Sequence, residues 1–210
     1  MYTQNDEESV IRGYFGYQDP KSLFLLDIGA NDGQTFSNSR QCILDGFNAV
    51  LVEPSPKAFD KLKKLYARNP KVKLKKLAIS QTSGEVVFHE SGSWNEDESD
   101  VALLSSLKES ELKRWGDRVS FTETKVQSLT FQDFLKNESL GDIYFDFISI
   151  DAEGVDWEIL EQIDLTKIGC ECLCVEWNGI TDMYIKMTEY CESHGMKLIS
   201  KNAENLIFIR

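Results

Sequence analysis

The chain has 210 residues, a formal net charge of −12 and an isoelectric point near 4.7, so nucleic acid and anionic membrane are poor partners for it. Hydrophobic content of 41% with a mean hydropathy of −0.33 describes a soluble globule. The length suits a single domain over residues 1–210, burying roughly 70% of its unfolded surface. Five cysteines, an odd number without a Cys-x-x-Cys pair, argue against a disulfide framework. No apolar run approaches the ~20 residues of a membrane span, and the polar, acidic start does not read as a signal peptide. A reducing, cytoplasmic setting is the expectation.

In chain order, residues 1–20 read as an N-terminal helical extension. A short helix over 7–16 would place Val10, Ile11, Tyr14 and Phe15 on one side as a packing cap for a sheet edge. Residues 23–33 are the organising stretch. A continuous apolar run predicts a strand buried on both faces of a parallel sheet. Gly29 and Gly33 then predict a tight turn that comes close to a ligand. A helix over 35–44, with Phe36, Arg40, Ile43 and Leu44 at helical spacing, would end at Gly46. Strand, turn and helix build a nucleotide-binding corner. Gly29-x-x-x-Gly33 is not the dinucleotide fingerprint, which weakens a nicotinamide dehydrogenase reading. Asp27 sets a carboxylate before the turn, repelling a pyrophosphate and attracting an ammonium or sulfonium. S-adenosylmethionine carries both and has no phosphate.

A second strand over 48–53 ends in Glu53, 20 residues past Gly33, the distance at which an acid meets ribose hydroxyls in this architecture. Ser55 is a natural N-cap and Pro56 a first helical residue for a helix over 56–68. A third strand with its exit loop spans 72–80. Residues 84–135 read as an inserted, substrate-shaping region. It comprises a strand over 84–90, an acidic exposed loop over 91–100 around Trp94, a short helix over 109–115, a weakly alternating edge strand over 118–128, and a helix capped by Thr130. His89 is a lone strand-end histidine, structural or a base. A fourth core strand over 143–150 leads into Asp151, and a fifth, over 172–176, ends Glu176-Trp177-Asn178. Cys170, Cys172 and Cys174 alternate, and on one strand would share a face as small buried hydrophobes. A helix over 182–194 and an antiparallel pair over 197–200 and 206–209 close the chain.

Asp27, Glu53, Asp151 with Glu153, and Glu176 with Asn178 thus gather at the carboxyl ends of parallel strands, where ligands bind in open α/β sheets. Asp27-Ile28-Gly29-Ala30-Asn31-Asp32-Gly33, Val52-Glu53-Pro54-Ser55-Pro56 and Ile150-Asp151-Ala152-Glu153-Gly154 resemble the three signature blocks of FkbM-type methyltransferases. The resemblance implies an α/β, Rossmann-like class I fold. Its mostly parallel seven-stranded sheet has an antiparallel C-terminal strand and helices on both faces. It also implies S-adenosylmethionine as cofactor, held by Asp27, Gly29, Ala30, Asn31, Gly33, Thr35, Glu53, Pro54, Ser55, Ala78, Ile79 and Asp151. The implied reaction is O-methylation of a sugar, glycan or natural-product hydroxyl, with Asp151 and Glu153 orienting the acceptor or taking its proton. Family members often carry Lys where Ser149 stands here, and Glu where Asp156 stands. With no lysine there, the nearby carboxylates are expected to hold protons more tightly. Two alternatives are a Mg²⁺ site on Asp151, Glu176 and Asn178 and a non-catalytic S-adenosylmethionine-binding module.

Overall fold

The computed structural model describes residues 1–93 and 102–210. A helix α1 (Glu7–Phe15) precedes strand β1 (Phe24–Ile28). The chain continues through α2 (Arg40–Asp45), β2 (Asn48–Val52), α3 (Pro56–Tyr66), β3 (Val72–Lys75), β4 (Ala78–Ile79) and β5 (Gly84–Ser91). After α4 (Glu109–Trp115) come β6 (Phe121–Leu129), α5 (Phe131–Asn137), β7 (Phe147–Ile150), α6 (Asp156–Leu160), β8 (Cys172–Glu176), α7 (Thr181–Ser193), β9 (Lys197–Lys201) and β10 (Asn205–Ile209). The main sheet has seven strands in the order β3-β2-β1-β7-β8-β10-β9. Its first five run parallel, and β10 lies antiparallel to both β8 and β9.

Successive residues of each central strand enter opposite cores, as the period of two requires. Leu26 and Ile28, Val50 and Val52, Ile148 and Ile150, and Leu173 and Val175 meet Phe134, Ile159 and Met187 from α5, α6 and α7. Leu25, Ala49, Leu51, Phe147, Cys172 and Cys174 meet Ile11, Phe15, Ile43 and Leu62 from α1, α2 and α3. The centre of the sheet is therefore covered on both sides, which is why β1, β2, β7 and β8 read as apolar runs. The leading helix is a packing element on the second of these faces, with Ile11 and Phe15 buried there. Among the described residues no helix is long and apolar enough to cross a membrane.

Several elements differ from the sequence expectation. Residues 35–39 are not helical: Phe36 takes a left-handed φ of 54° and stands exposed. The Asp32 carboxylate accepts from the Gln34 and Thr35 amides and from the Thr35 hydroxyl, a side-chain turn that competes with helix. Helix α2 accordingly starts only at Arg40. The expected third strand divides into β3 in the main sheet and β4, which joins a second, three-stranded sheet of order β4-β6-β5. Strand β6 is the centre of that sheet, not an edge, pairing with β5 over eight residues from Gly84↔Ser128 to Ser91↔Phe121. Residues 143–146 stay outside β7. Cys170 precedes β8 and packs in the α5–α7 core, so it does not share the face of Cys172 and Cys174. All five cysteines are free and buried. Most of the acidic loop expected over 91–100, Trp94 included, lies outside the described residues.

Candidate active site

The carboxyl ends of β1, β2, β7 and β8 open on a cavity of about 270 Å³. The turn after β1 is fixed by backbone. The Gly29 and Ala30 amides both donate to the Val52 carbonyl at 3.0 Å, and the Asp151 amide donates to that of Ile28 at 2.9 Å. Gly29 has a φ of 89°, and a Cβ there would lie 1.6 Å from the Asp151 carbonyl oxygen. The close approach that requires glycine is thus to the neighbouring strand end. Gly33, at a φ of 75°, faces Leu62 and Tyr66 of α3 and does not line the cavity. Both glycines were expected beside a ligand, and their tight contacts are with protein.

Asp27, Ala30, Asn31, Thr35, Glu53, Pro54, Ala78, Ile79, Asp151 and Glu153 all line the cavity, as does Gly29. Ser55 does not. It is fully buried at the start of α3, where its hydroxyl accepts from the Ala58 amide and donates to Glu90 at 2.6 Å. Glu53 is 5% exposed, and its two oxygens accept from the Asn31 amide at 2.8 Å and the Ser55 amide at 2.6 Å. It therefore ties the turn after β1 to the turn after β2. Asp27 is buried and accepts from the Ser39 hydroxyl at 2.6 Å. The non-helical stretch before α2 places Phe36 and Asn38 on the cavity wall. Both side-chain polar atoms of Asn31, and Oδ1 of Asn38, are buried without a hydrogen-bond partner among the described residues.

Opposite this half stand Asp151, Glu153 and Glu176, each offering a carboxylate oxygen within 4.8 Å of the other two. The turn that presents the first two is held by Asp156, whose carboxylate accepts from the Ala152 amide at 2.7 Å and the Gly154 amide at 3.0 Å. Glu153 takes a left-handed φ of 48° within it. Ser106 donates to the Glu153 carbonyl at 2.6 Å, docking the segment before α4 on the turn. Asn178 donates to Glu176 at 2.7 Å. The Asn178 amide oxygen lies 3.4 Å from Arg114 Nη2, and Asp151, Glu153 and Glu176 bring three carboxylate oxygens within reach of one cation.

These carboxyls hold their protons tightly. Burial pushes Asp27 up to about 6, and Glu53 up to about 7 against the opposing pull of its two amide donors. Removal from water, then the charges of Asp156 and Asp27, push Asp151 up to about 8. Glu153 and Glu176 are raised as well, by burial first and by their carboxylate neighbours second. The absence of lysine at 149 agrees with this direction, yet the cluster does have a cation. Arg114, on α4, lines the cavity and opposes the rise at Glu153 and Glu176. Sequence periodicity gave no reason to single it out, since a basic residue in the last turn of a helix is ordinary. His89, on β5 of the second sheet, is buried and does not line the cavity.

Raised carboxyls set a pH dependence of stability. A carboxyl whose folded pKa lies above its unfolded one stabilises fully below the unfolded value, and that contribution is lost as pH rises through the folded value. For Asp27, Glu53 and Asp151 the loss runs from about pH 4 up through about 6, 7 and 8. Glu7 and Glu90 are lowered and act in the opposite sense under more acidic conditions. The melting temperature is therefore expected to be highest in mildly acidic solution and to fall toward about pH 8. Asp151→Asn should flatten that fall, and calorimetry at a series of pH values reads it directly.

The sequence matches the family model of the methyltransferase FkbM domain over residues 27–198, and the chain belongs to that family. S-adenosylmethionine is its cofactor, and the cavity fits it: Oδ1 of Asn31 and of Asn38, with the Asp27 and Glu53 carboxyls, are acceptors of the kind an ammonium and ribose hydroxyls require, and Nδ2 of Asn31 is an unpartnered donor. No curated protein matches the sequence. Among solved structures, the FkbM methyltransferase of Methylobacillus flagellatus KT superposes with a TM-score of 0.56 at 12% identity, covering 90% of this chain and 44% of that one. The precorrin-6y C5,15-methyltransferase of Geobacter metallireducens GS-15 gives 0.51 at 13%, over 100% and 90%. The magnesium protoporphyrin IX methyltransferase of Synechocystis PCC 6803 with bound S-adenosylmethionine gives 0.51 at 11%, over 97% and 77%. The chain thus spans less than half the length of the Methylobacillus protein, and at these identities the likeness is one of fold.

Proposed function

We propose that the protein methylates a hydroxyl oxygen of a small-molecule or glycan acceptor. The observation that carries this reading is the carboxylate trio Asp151, Glu153 and Glu176, facing the same cavity as Glu53 and Asp27. S-adenosylmethionine supplies a methyl carbon already activated by its sulfonium. What remains for the chain is to align the acceptor and take its proton. Glu53 suits the ribose hydroxyls, and Leu77, Ala78 and Ile79 offer an apolar wall for a flat base. Asp27, Asn31, Thr35 and Asn38 line the same cavity and suit the polar methionine portion. Gly29 and Gly33 support the cofactor turn through packing, and Ser55 supports it through the start of α3. Asp151, pushed up to about 8 by burial and by the charge of Asp156, suits a general base, and Glu153, raised by burial first and by Asp151 second, stands beside it in the same cavity. Residues 84–135 supply Phe88, 102–105, Leu107, Arg114 and Trp115 to the cavity wall, which supports their role in shaping the acceptor side.

A divalent cation is the second reading, favoured by the mutual 4.8 Å approach of three carboxylate oxygens. The test of the main reading is a binding and transfer experiment. Calorimetry is expected to show S-adenosylmethionine binding and no NAD binding. Methyl-labelled cofactor incubated with polyol and glycan acceptors should give an ether-linked methyl group. Binding of NAD alone, or label found only on nitrogen or carbon, would sink the reading.

A further inference from the structure

The net charge of −12 averages over an uneven distribution. Between Lys57 and Lys76 stand nine of the chain's 23 lysines and arginines and only one of its 35 acids, Asp60. Two adjoining elements carry them. On α3 and the turn that ends it, Lys57, Lys61, Lys64 and Arg68 recur at helical spacing and so share one face, opposite the buried Ala58, Leu62 and Tyr66. Lys73 and Lys75 project from β3, the edge strand of the main sheet, between Lys71 and Lys76. The Lys76 ammonium lies 5.9 Å from the centre of the Phe59 ring, so the end of β3 meets the start of α3. Lys57 pairs with Glu90 and Lys75 with Glu138, and Lys71 donates to the Gly46 carbonyl. Lys63, Lys64, Arg68 and Lys73 are exposed, and among the described residues none of the four forms an ion pair. The lysines of β3 have a local explanation, because charge along an edge strand blocks pairing with another sheet. The stripe on α3 has none: a helix has no such edge to guard, and like charges at that spacing weaken it.

We propose that this basic face is a docking surface for an anionic phospholipid membrane, an inference that does not rest on the methyltransferase reading. Opposite charge is the first argument, and about four to eight clustered cations are the number such attraction uses. Eight of the nine cations are lysine, whose ammonium is a point charge on a flexible stem. It suits a diffuse field of phosphates better than bidentate recognition of one. None of the large exposed hydrophobics lies between Lys57 and Lys76, so the face offers no aromatic platform on which the bases of a single strand would stack. Charge alone remains, and a plane of headgroups asks for nothing more. The acids elsewhere on the molecule are screened beyond about 8 Å at physiological ionic strength, so one face can be attracted while the whole is acidic. Helix α3 begins two residues after Pro54 and β3 ends two before Leu77, both of which line the cavity. Docking on this face therefore sets the cavity beside the lipid surface.

The test is sedimentation of the full chain with vesicles. Phosphatidylcholine vesicles containing about one third phosphatidylserine are expected to carry it down, and pure phosphatidylcholine vesicles are not; binding should fall as salt rises from about 0.05 M to about 0.5 M. Each cation near such a surface contributes roughly fivefold to partitioning, so Lys63→Gln, Lys64→Gln and Arg68→Gln together should lower it ~100-fold. None of the three lines the cavity, so S-adenosylhomocysteine affinity should be unchanged, which also reports that the variant is folded. If the triple variant does not fold, Lys64→Gln with Lys73→Gln, one from each element, should lower partitioning by ~25-fold. No vesicle binding by the unaltered chain at low salt, or binding that the folded variants retain in full, overturns the inference. So does a single-stranded RNA that binds more tightly than vesicles of equal phosphate concentration and is released by the same substitutions: the face is then a nucleic-acid surface.

Discussion

Asp151→Asn and Glu153→Gln are each expected to cut methyl transfer by ~100-fold or more while leaving S-adenosylmethionine affinity nearly unchanged. A positioned base contributes about 10²–10⁴-fold, and an amide in its place keeps the shape but cannot accept the proton. The two substitutions should not add, because the carboxyls lie close enough to titrate as a unit. The same variants discriminate the metal reading. If the trio acts as base, activity survives EDTA and Glu176→Gln is milder than Asp151→Asn. If a divalent cation polarises the acceptor hydroxyl, EDTA abolishes turnover and all three substitutions are equally damaging. The proximity of Arg114 favours the first outcome, since a cation already opposes the charge of Glu153 and Glu176. Equal loss across the trio together with EDTA sensitivity would refute the base assignment.

Strands β1, β2, β7 and β8 of the main sheet were legible because burial on both faces forces an apolar run, and because each run ends at an acidic residue or a glycine. Glu53 and Glu176 mark where β2 and β8 stop or have just stopped. The helix caps were legible for a local reason: Ser55 and Thr130 each accept from the amide three residues on, as their side chains predispose them to do. The stretch 35–39 was misread because Phe36, Arg40, Ile43 and Leu44 do fall at helical spacing. The competing signal was polar: Asp32 and Ser37 bind nearby backbone, and Phe36 turns left-handed. Of the four residues that suggested an apolar stripe, Ile43 alone is buried; Phe36 and Leu44 are exposed, and Arg40 lies at intermediate depth.

The candidate site was legible where a strand end delivers a side chain directly, and illegible where it depends on a distant element. Nothing local to Arg114 distinguishes it from Lys113. Only the docking of Ser106 and Glu111 on the turn after β7 brings it to Asn178. The same holds for β6, whose weak alternation reflects a central strand of a small sheet with one solvated face. Gly33 is the converse case. Its residue type was right for the turn, but the space it leaves open is filled by Leu62 and Tyr66 of α3.

Glu53→Ala is expected to weaken S-adenosylmethionine binding on the order of 100-fold, more than the loss of ribose contacts alone would cause. In the folded chain Glu53 already accepts from the Asn31 and Ser55 amides, and it is 5% exposed. Alanine removes the ribose acceptor and leaves two amide donors without their carboxylate. Hydrogen bonds to a charged group contribute about 1.5–3 kcal/mol each, and an abandoned buried donor costs about 1–3 kcal/mol. The turn after β1 would then lose its tether to the turn after β2 and present Asn31 less sharply to the cofactor. Glu53→Gln separates the two contributions. Its single oxygen can satisfy one amide, while its NH₂ would confront the other donor, so affinity should fall even though a ribose hydrogen bond remains possible. Calorimetric titration of each variant, with the melting temperature measured alongside, reads both effects. A Glu53→Ala protein that melts like the unaltered chain and binds within threefold of it would remove Glu53 from both the ribose and the tether, at about 0.6 kcal/mol of discrimination.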